Sequence, residues 1–340
     1  MLLGDTAIGP SSPIQSGQLG RPQDRPCQFW IPFVSCGAIS CARHQFAVIG
    51  GLHRDTSLIC DRYRQPVRQT VAHLTDFSEA SAEAFVHALA LALAYKHHLY
   101  LLHVKDPRGE DSWSSFPHVR EALARWGLMA ADAKPSEIEI KLGIQVIKVE
   151  IKSTDLAGGI FNFILTHRPD VFVLATHGRE GLNRLLYGSK AEEIARRTRV
   201  PAIFIGPEAR GFVDKSSGQI RLERILFPVA HSPSPIHSSR FLSDLLTPIG
   251  VSSAAFHFVH VGDIAPKITN VPGESVELVQ GPIEETILRI ARDYHADMIA
   301  MPTAGHHGFL DALRGSTTER VLRRAPCPVF AIPAPIGAKR

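Results

Sequence analysis

The sequence predicts an α/β protein made of two tandem, doubly wound parallel-sheet domains, and three observations predict it. Short apolar runs rich in β-branched residues alternate with helix-period stretches, the order of a parallel sheet covered on both faces. The chain also repeats itself: Ala175-Thr-His-Gly178, nine residues and Gly188-Ser189 recur as Pro302-Thr-Ala-Gly305, nine residues and Gly315-Ser316. Each copy follows an apolar run that begins after Asp170 or Asp297 and precedes a helix-like stretch closed by Val200-Pro201 or Cys327-Pro328. Finally, 340 residues suit two domains of ordinary size, each with a core of its own.

Residues 1–65 are rich in Gly, Pro, Ser and Arg and hold no period of 2 or 3.6, which predicts a disordered N-terminal extension. A linked expectation is that translation begins after Met1 at a non-Met codon, the next Met being Met129. An intact mass that retains residues 1–64 would overturn it.

The first domain is expected over 66–208. It opens with a strand at Val71–Leu74, and Thr75-Asp76-Phe77-Ser78 then leads into a helix with Ser78 as N-cap and Glu79 in its first turn. Ala82, Phe85, Val86, Leu89 and Leu93 recur at helical spacing while Glu79, Glu83 and His87 take the other side, so one face is expected to pack on the sheet. A strand over 99–104 follows, then a helix near 116–132, a strand near 140–151 and a helix to Thr166. Val171–Ala175, a helix from Ser189 and Ala202–Ile205 complete the unit.

A linker is expected over 209–219, within a Gly- and Ser-bearing stretch that begins at Glu208, and a second, degenerate domain over 220–335. Its strands are read at 225–229, 254–261 and 275–280. Only a short stretch separates Val261 from Ser275, too little for the helix that the first domain places there. A helix then starts at Pro282 with Glu284 and Glu285 near its positive end, and the chain closes on a Pro-led strand over 329–332.

Composition narrows the function. Hydrophobic content is 44%, and the longest apolar stretch, 28–51, is broken by Arg43, His44 and a Pro, short of the roughly 20 residues of a membrane span. The net charge of +4 comes from 37 basic and 33 acidic residues interspersed along the chain, which argues against a nucleic-acid partner. The five cysteines match no zinc or disulfide framework, so a reducing cytoplasm is the simplest setting, and no metal site is expected.

A glycine-bearing loop between strand and helix presents backbone N–H groups to an anion. With the first-strand Thr75-Asp76-Phe77-Ser78, Leu-His103-Val104 and Val-His260-Val261, it makes residues 67–333 resemble the universal stress proteins in their tandem two-domain form. The resemblance implies a Rossmann-like, adenine nucleotide alpha hydrolase-like fold and an adenine nucleotide as ligand. The family pattern is Gly-x2-Gly-x9-Gly-Ser/Thr, and both copies match it except at the first glycine, here Ala175 and Pro302.

Carried over residue by residue, the resemblance places Thr75 and Asp76 at the base, with Val104 beside it. Leu174, Ala175 and Gly178 lie under the ribose and phosphates, and Gly188, Ser189, Lys190 and Ala191 surround the phosphates, with Arg179 nearby to add a charge-assisted contact. ATP is the implied ligand, with Mg or Mn as companion ion. In the second domain Val261, Gly305, Gly315, Ser316 and Thr317 are the weaker counterparts, because Ala230 stands at the position of Asp76 and Pro302 removes an N–H.

The expected role is a cytoplasmic stress-response module that binds ATP or another adenine nucleotide in its first domain and uses it to regulate or protect. Two alternatives stay open: a nucleotide-free interaction or protective protein of the same fold, and a weak ATPase. Ser189-x-x-Glu192 and Ser316-x-x-Glu319 are also capping boxes, and Asp76 also suits a turn. No P-loop or nucleophile elbow is present, so catalysis is expected to be absent or limited to slow ATP hydrolysis. The last strands of the two domains are expected to pair within the chain, with a homodimer as a further level of assembly.

Overall fold

The structure, a computed structural model, describes residues 69–105, 116–176, 199–233, 235–250, 255–266, 268, 275–303 and 317–334. The N-terminal extension, the helix expected from Ser189 and both Gly-x9-Gly-Ser loops lie outside these residues. The described residues belong to one compact unit, Cys60–Arg340.

Among the described residues, ten strands form a single sheet in the order β3-β2-β1-β4-β5-β10-β9-β6-β7-β8. They are β1 (Val71–Leu74), β2 (His98–Lys105), β3 (Gln145–Lys152), β4 (Val171–Ala175), β5 (Ala202–Ile205), β6 (Arg224–Pro228), β7 (Ala255–Val261), β8 (Glu277–Val279), β9 (Met298–Thr303) and β10 (Val329–Pro333). Neighbours run parallel except β5 and β10, which meet antiparallel with Ile203 opposite Phe330. The order 3-2-1-4-5 is thus followed by 10-9-6-7-8, the same winding read backwards. Its helices are α1 (Glu79–Tyr95), α2 (Val119–Arg125), α3 (Pro135–Leu142), α4 (Leu156–His167), α5 (Pro235–Leu246), α6 (Ile283–Asp293) and α7 (Thr317–Arg324).

Strand alternation sends successive side chains to two cores. Val71, Val173, Phe227 and Phe330 join α1, α2 and α5 on one face, whereas Ala72, Leu174, Leu226 and Ala331 join α4, α6 and α7 on the other. Both cores run across the β5–β10 seam. The Asp that precedes each apolar run also acquires a reason: Asp170 Oδ2 accepts the Thr70 N–H at 2.7 Å, and Asp297 Oδ2 accepts those of Glu223 and Arg224 at 2.9 Å, tying strand to strand in both halves.

Four local readings are corrected. Residues 140–151 are not one strand, because Pro135 opens α3 at its first turn, Glu137 pairs with Lys141 at 2.7 Å, and Gly143 closes it at φ 72°. The helix near 116–132 is confined to α2, and α5 stands between β6 and β7 where no helix was read. His87 does not face outward: it is fully buried. It donates from Nδ1 to Glu83 O at 2.9 Å and accepts the Phe212 N–H on Nε2 at 3.1 Å. Its burial pushes the imidazole below its usual range, against the pull of the Glu83 carbonyl and carboxylate.

Phe212 belongs to the stretch expected to be a linker, and that stretch is held in place. Trp126 Nε1–H donates to Lys215 O at 3.0 Å, and Gly218, at φ 71°, lies so close under the Trp126 ring that a Cβ would stand 2.4 Å from it. Helix α1 is therefore covered on both sides, by the sheet and by chain from the second half, with Tyr95 Oη–H donating to Leu245 O at 3.3 Å.

Candidate functional site

In a winding of this order the chain leaves β1 towards β2 and β4 towards β5, in opposite directions along the sheet, leaving a crevice beyond the carboxyl ends of β1 and β4. Register puts Leu74 level with Leu102 and with Leu174, so Thr75, Asp76, Val104, Leu174 and Ala175 meet at one edge of the sheet. The structure thus brings together the residues expected at the base, Thr75, Asp76 and Val104, with Leu174 and Ala175, expected under the ribose and phosphates. Gly178, Arg179, Gly188, Ser189, Lys190 and Ala191 lie outside the described residues.

The polar groups at this edge are bonded to one another. Thr75 N–H donates to Leu102 O at 2.8 Å, and its carbonyl accepts from His103 Nδ1–H at 2.9 Å, so the β2 histidine clamps the end of β1. Thr75 Oγ1 accepts the Phe77 N–H at 3.1 Å and the Ser81 hydroxyl at 2.9 Å. Asp76 Oδ1 accepts the Ser78 N–H at 3.0 Å and its hydroxyl at 2.5 Å, and Ser78 Oγ in turn caps α1 by accepting the Ser81 N–H. This turn drives Phe77 to φ 61° and lays its ring 4.1 Å from that of His103.

Beneath it, His73 is fully buried, donates from Nδ1 to Val173 O at 3.0 Å and has Ser81 Oγ 3.3 Å from Nε2. Burial lowers its pKa to about 4, outweighing the Val173 bond and the attraction of Asp76.

The second half repeats the frame and changes the chemistry. Val229 N–H donates to Val259 O at 2.8 Å and His260 Nδ1–H to Val229 O at 2.9 Å, the same clamp in the same place. Phe227 stands where His73 does, Val229 for Thr75, Ala230 for Asp76 and His231 for Phe77, the His231 ring lying 5.2 Å from that of His260. Beyond these strand ends is a cavity of about 400 Å³ lined by Ala230, Val261, Ile287, Met301, Pro302 and Thr303, with Thr317 and Thr318 of α7 at one side. Of the second-half candidates, Val261 and Thr317 line this space; Gly305, Gly315 and Ser316 lie outside the described residues.

Ala175 and Pro302, which replace the first glycine of each loop motif, are both ordinary strand residues paired with Ile205 and Ile332, so neither position demands a glycine. Sequence reasoning missed Thr303, Ile287 and the clamping role of His103 and His260. The paired Leu-His-Val and Val-His-Val were visible, and a shared structural use was the signal they carried. Among the described residues, no group of three or more His, Cys, Asp or Glu side chains is placed to hold a metal ion. No helix among them is long and apolar enough to cross a membrane.

The model of the universal stress protein family matches residues 68–205 and 251–333. A universal stress protein of Methanocaldococcus jannaschii is 28% identical over 134 residues, which make up 38% of this chain and 78% of that protein. The crystal structure of a universal stress protein from Archaeoglobus fulgidus covers 79% of this chain and 97% of its own at 19% identity and a TM-score of 0.52, a likeness of fold. A universal stress protein solved in complex with cAMP covers 40% of this chain and 96% of its own, at 20% identity and a TM-score of 0.25.

Proposed function

The chain belongs to the universal stress protein family in its tandem two-domain form, and on that premise we propose that it binds ATP or another adenine nucleotide at the strand ends of its first half. The observation that carries the reading is the convergence of Thr75, Asp76, Val104 and Leu174 at one carboxyl-terminal edge. The residues fit the base end of such a ligand. Asp76 offers a carboxylate fixed by the Ser78 turn, able to accept from an exocyclic amine or a ribose hydroxyl, Val104 offers apolar contact beside the base, and Leu174 lies at the ribose side. Bound nucleotide would supply a change of charge and packing at the loop after β4, and the protein would act through that change as a cytoplasmic regulatory or protective module. The two halves, 66–208 and 220–335, are read as an internal pseudo-dimer, a reading supported by the antiparallel pairing of β5 with β10.

A second reading, a nucleotide-free interaction protein, is favoured by one observation: Asp76 Oδ1 already has two donors in Ser78, so a turn alone explains it. Nucleotide released by denaturing the gently purified protein distinguishes the two. Adenine nucleotide in the wild type, lost in Asp76→Ala combined with Gly188→Val, is the expected result. Its absence, with no micromolar binding of ATP by calorimetry, would move the function to the second reading. Light scattering at several concentrations checks for a homodimer, and a concentration-independent monomer would remove it.

A further inference from the structure

The sheet ends on two strands that the chain finishes differently. In the second half β8 offers only three residues, and its Glu277 is bonded to His257 at 2.5 Å. In the first half β3 offers eight, with no proline and no bulge, since its register with β2 is unbroken from Gln145 to Lys152. Among the described residues, no strand lies on the outer side of β3. An edge of this length is a template for a further strand unless its side chains forbid one.

The side chains of β3 oppose most pairings with a second copy and favour one. Gln145 N–H donates to His97 O and Ser153 N–H to Lys105 O, so the odd-numbered residues turn their backbone groups to β2. Val146, Lys148, Glu150 and Lys152 then turn theirs outward, where an antiparallel strand would bond to them. Val146 packs on the α1 side of the sheet, the side that these four residues share, while Ile147, Val149 and Ile151 lie half-buried on the α4 side.

When Val149 stands opposite Val149 of a second copy, Lys148 meets Glu150 twice and Ile147 meets Ile151 twice. A slide of two residues either way sets Lys148 against Lys148 or Glu150 against Glu150, and like charges directly opposite are destabilising. Among the described residues, Lys148, Glu150 and Lys152 make no ion pair of their own. Lys148 Nζ lies over the Phe116 ring at 5.4 Å, and desolvation and then the like charge of Arg120 hold its ammonium below the usual range, so a carboxylate arriving beside it is favoured.

We propose that β3 is the contact edge of a homodimer, in which two copies pair this strand antiparallel about a two-fold axis through Val149. The pairing bonds the outward backbone groups, covers Ile147, Val149 and Ile151, and joins Lys148 to Glu150 on both sides of the axis. It gives the homodimer expected from sequence a surface, and it stands whether or not the first half holds a nucleotide.

The test is sedimentation velocity of the full chain over a concentration series. The wild type should dimerise, and Lys148→Glu, which sets carboxylate against carboxylate, or Glu150→Lys, which sets ammonium against ammonium, should each weaken the dimer at least about tenfold. Mixing the two single variants returns opposite charges to register and should restore association to within about threefold of the wild type, as should the double variant Lys148→Glu with Glu150→Lys. Restoration also shows that the single variants fold. A wild type that stays monomeric at every concentration would overturn the proposal. So would a dimer that both single variants leave intact, or one that neither the mixture nor the double variant restores.

Discussion

The ends of β1 and β6 occupy the same place in their half-sheets, are clamped by the same histidine, and are finished with opposite chemistry. At β1 the finish is polar and already connected: His73, Ser81, Thr75, Asp76 and Ser78 form a run of hydrogen bonds that fixes the turn into α1. At β6 the same positions are Phe227, Val229 and Ala230, and the polar run is replaced by a space that Ala230 helps to line. Duplicated backbone therefore does not carry duplicated side chains, because the frame rests on main-chain groups and the β2 or β7 histidines while the positions at the strand ends have diverged.

The largest test of the comparison asks whether the halves are separate at all. Phe330 is fully buried in a core that runs across the seam, and Phe330→Ala should cost about 3–5 kcal/mol. Hydrogen exchange should report the loss in β1 as well as β6. Protection lost in the second half alone would show two independent stabilities.

The second test is pH. His73 has its pKa depressed to about 4 in the fold from an ordinary 6.5, so its stabilising neutral form is undisturbed above pH 6.5. As pH falls from 6.5 towards 4, the unfolded chain takes a proton that the fold refuses, and stability drops by roughly 3 kcal/mol across that window. His87, shifted in the same direction, adds to the slope. Urea denaturation at pH 7.5 and 5 should show the wild type losing stability, and His73→Phe, which installs the residue of the second half, losing markedly less. An unchanged slope in the variant would mean that the buried imidazole is not what separates the halves in acid.

Smaller effects refine the contrast. Asp76→Ala removes the acceptor of the Ser78 turn and should lower stability by about 1–2 kcal/mol, whereas Ala230→Asp, at an exposed position, should leave it within about 0.5 kcal/mol. Thermal melts of the two variants check this, and equal losses would refute the contrast. Last, Thr303→Val should be neutral or raise stability by up to about 1 kcal/mol, because it deletes a hydroxyl without a partner, while Thr176→Val should lower it. Opposite signs are the readout.

Much of the sheet was legible because its punctuation is local. Asp170 and Asp297 open strands by bonding to neighbouring backbone, Pro201 and Pro328 lead the closing ones, and the runs between them are apolar throughout. Ser78 was legible as a cap for the same reason. The segment 140–142 was misread because Ile138-Glu-Ile-Lys-Leu alternates like a strand, while the deciding residues, Pro135 and Gly143, stand outside it. His87 was misread because its cover, Phe212, is far away in sequence, and helical spacing alone assigns it to solvent. At the site, the base-end residues were legible as a motif, but the hydroxyl of Thr303 was not, since its isolation depends on how far β9 and β10 remain paired.

The antiparallel seam between β5 and β10 also sets the directions in which the molecule faces. Every strand of the first half runs opposite to every strand of the second, so the two crevices open at opposite ends of one continuous sheet. A molecule or partner surface engaged at one end leaves the other unobstructed. The two strand-end edges are thus separated by the length of the strands and face away from each other across one sheet.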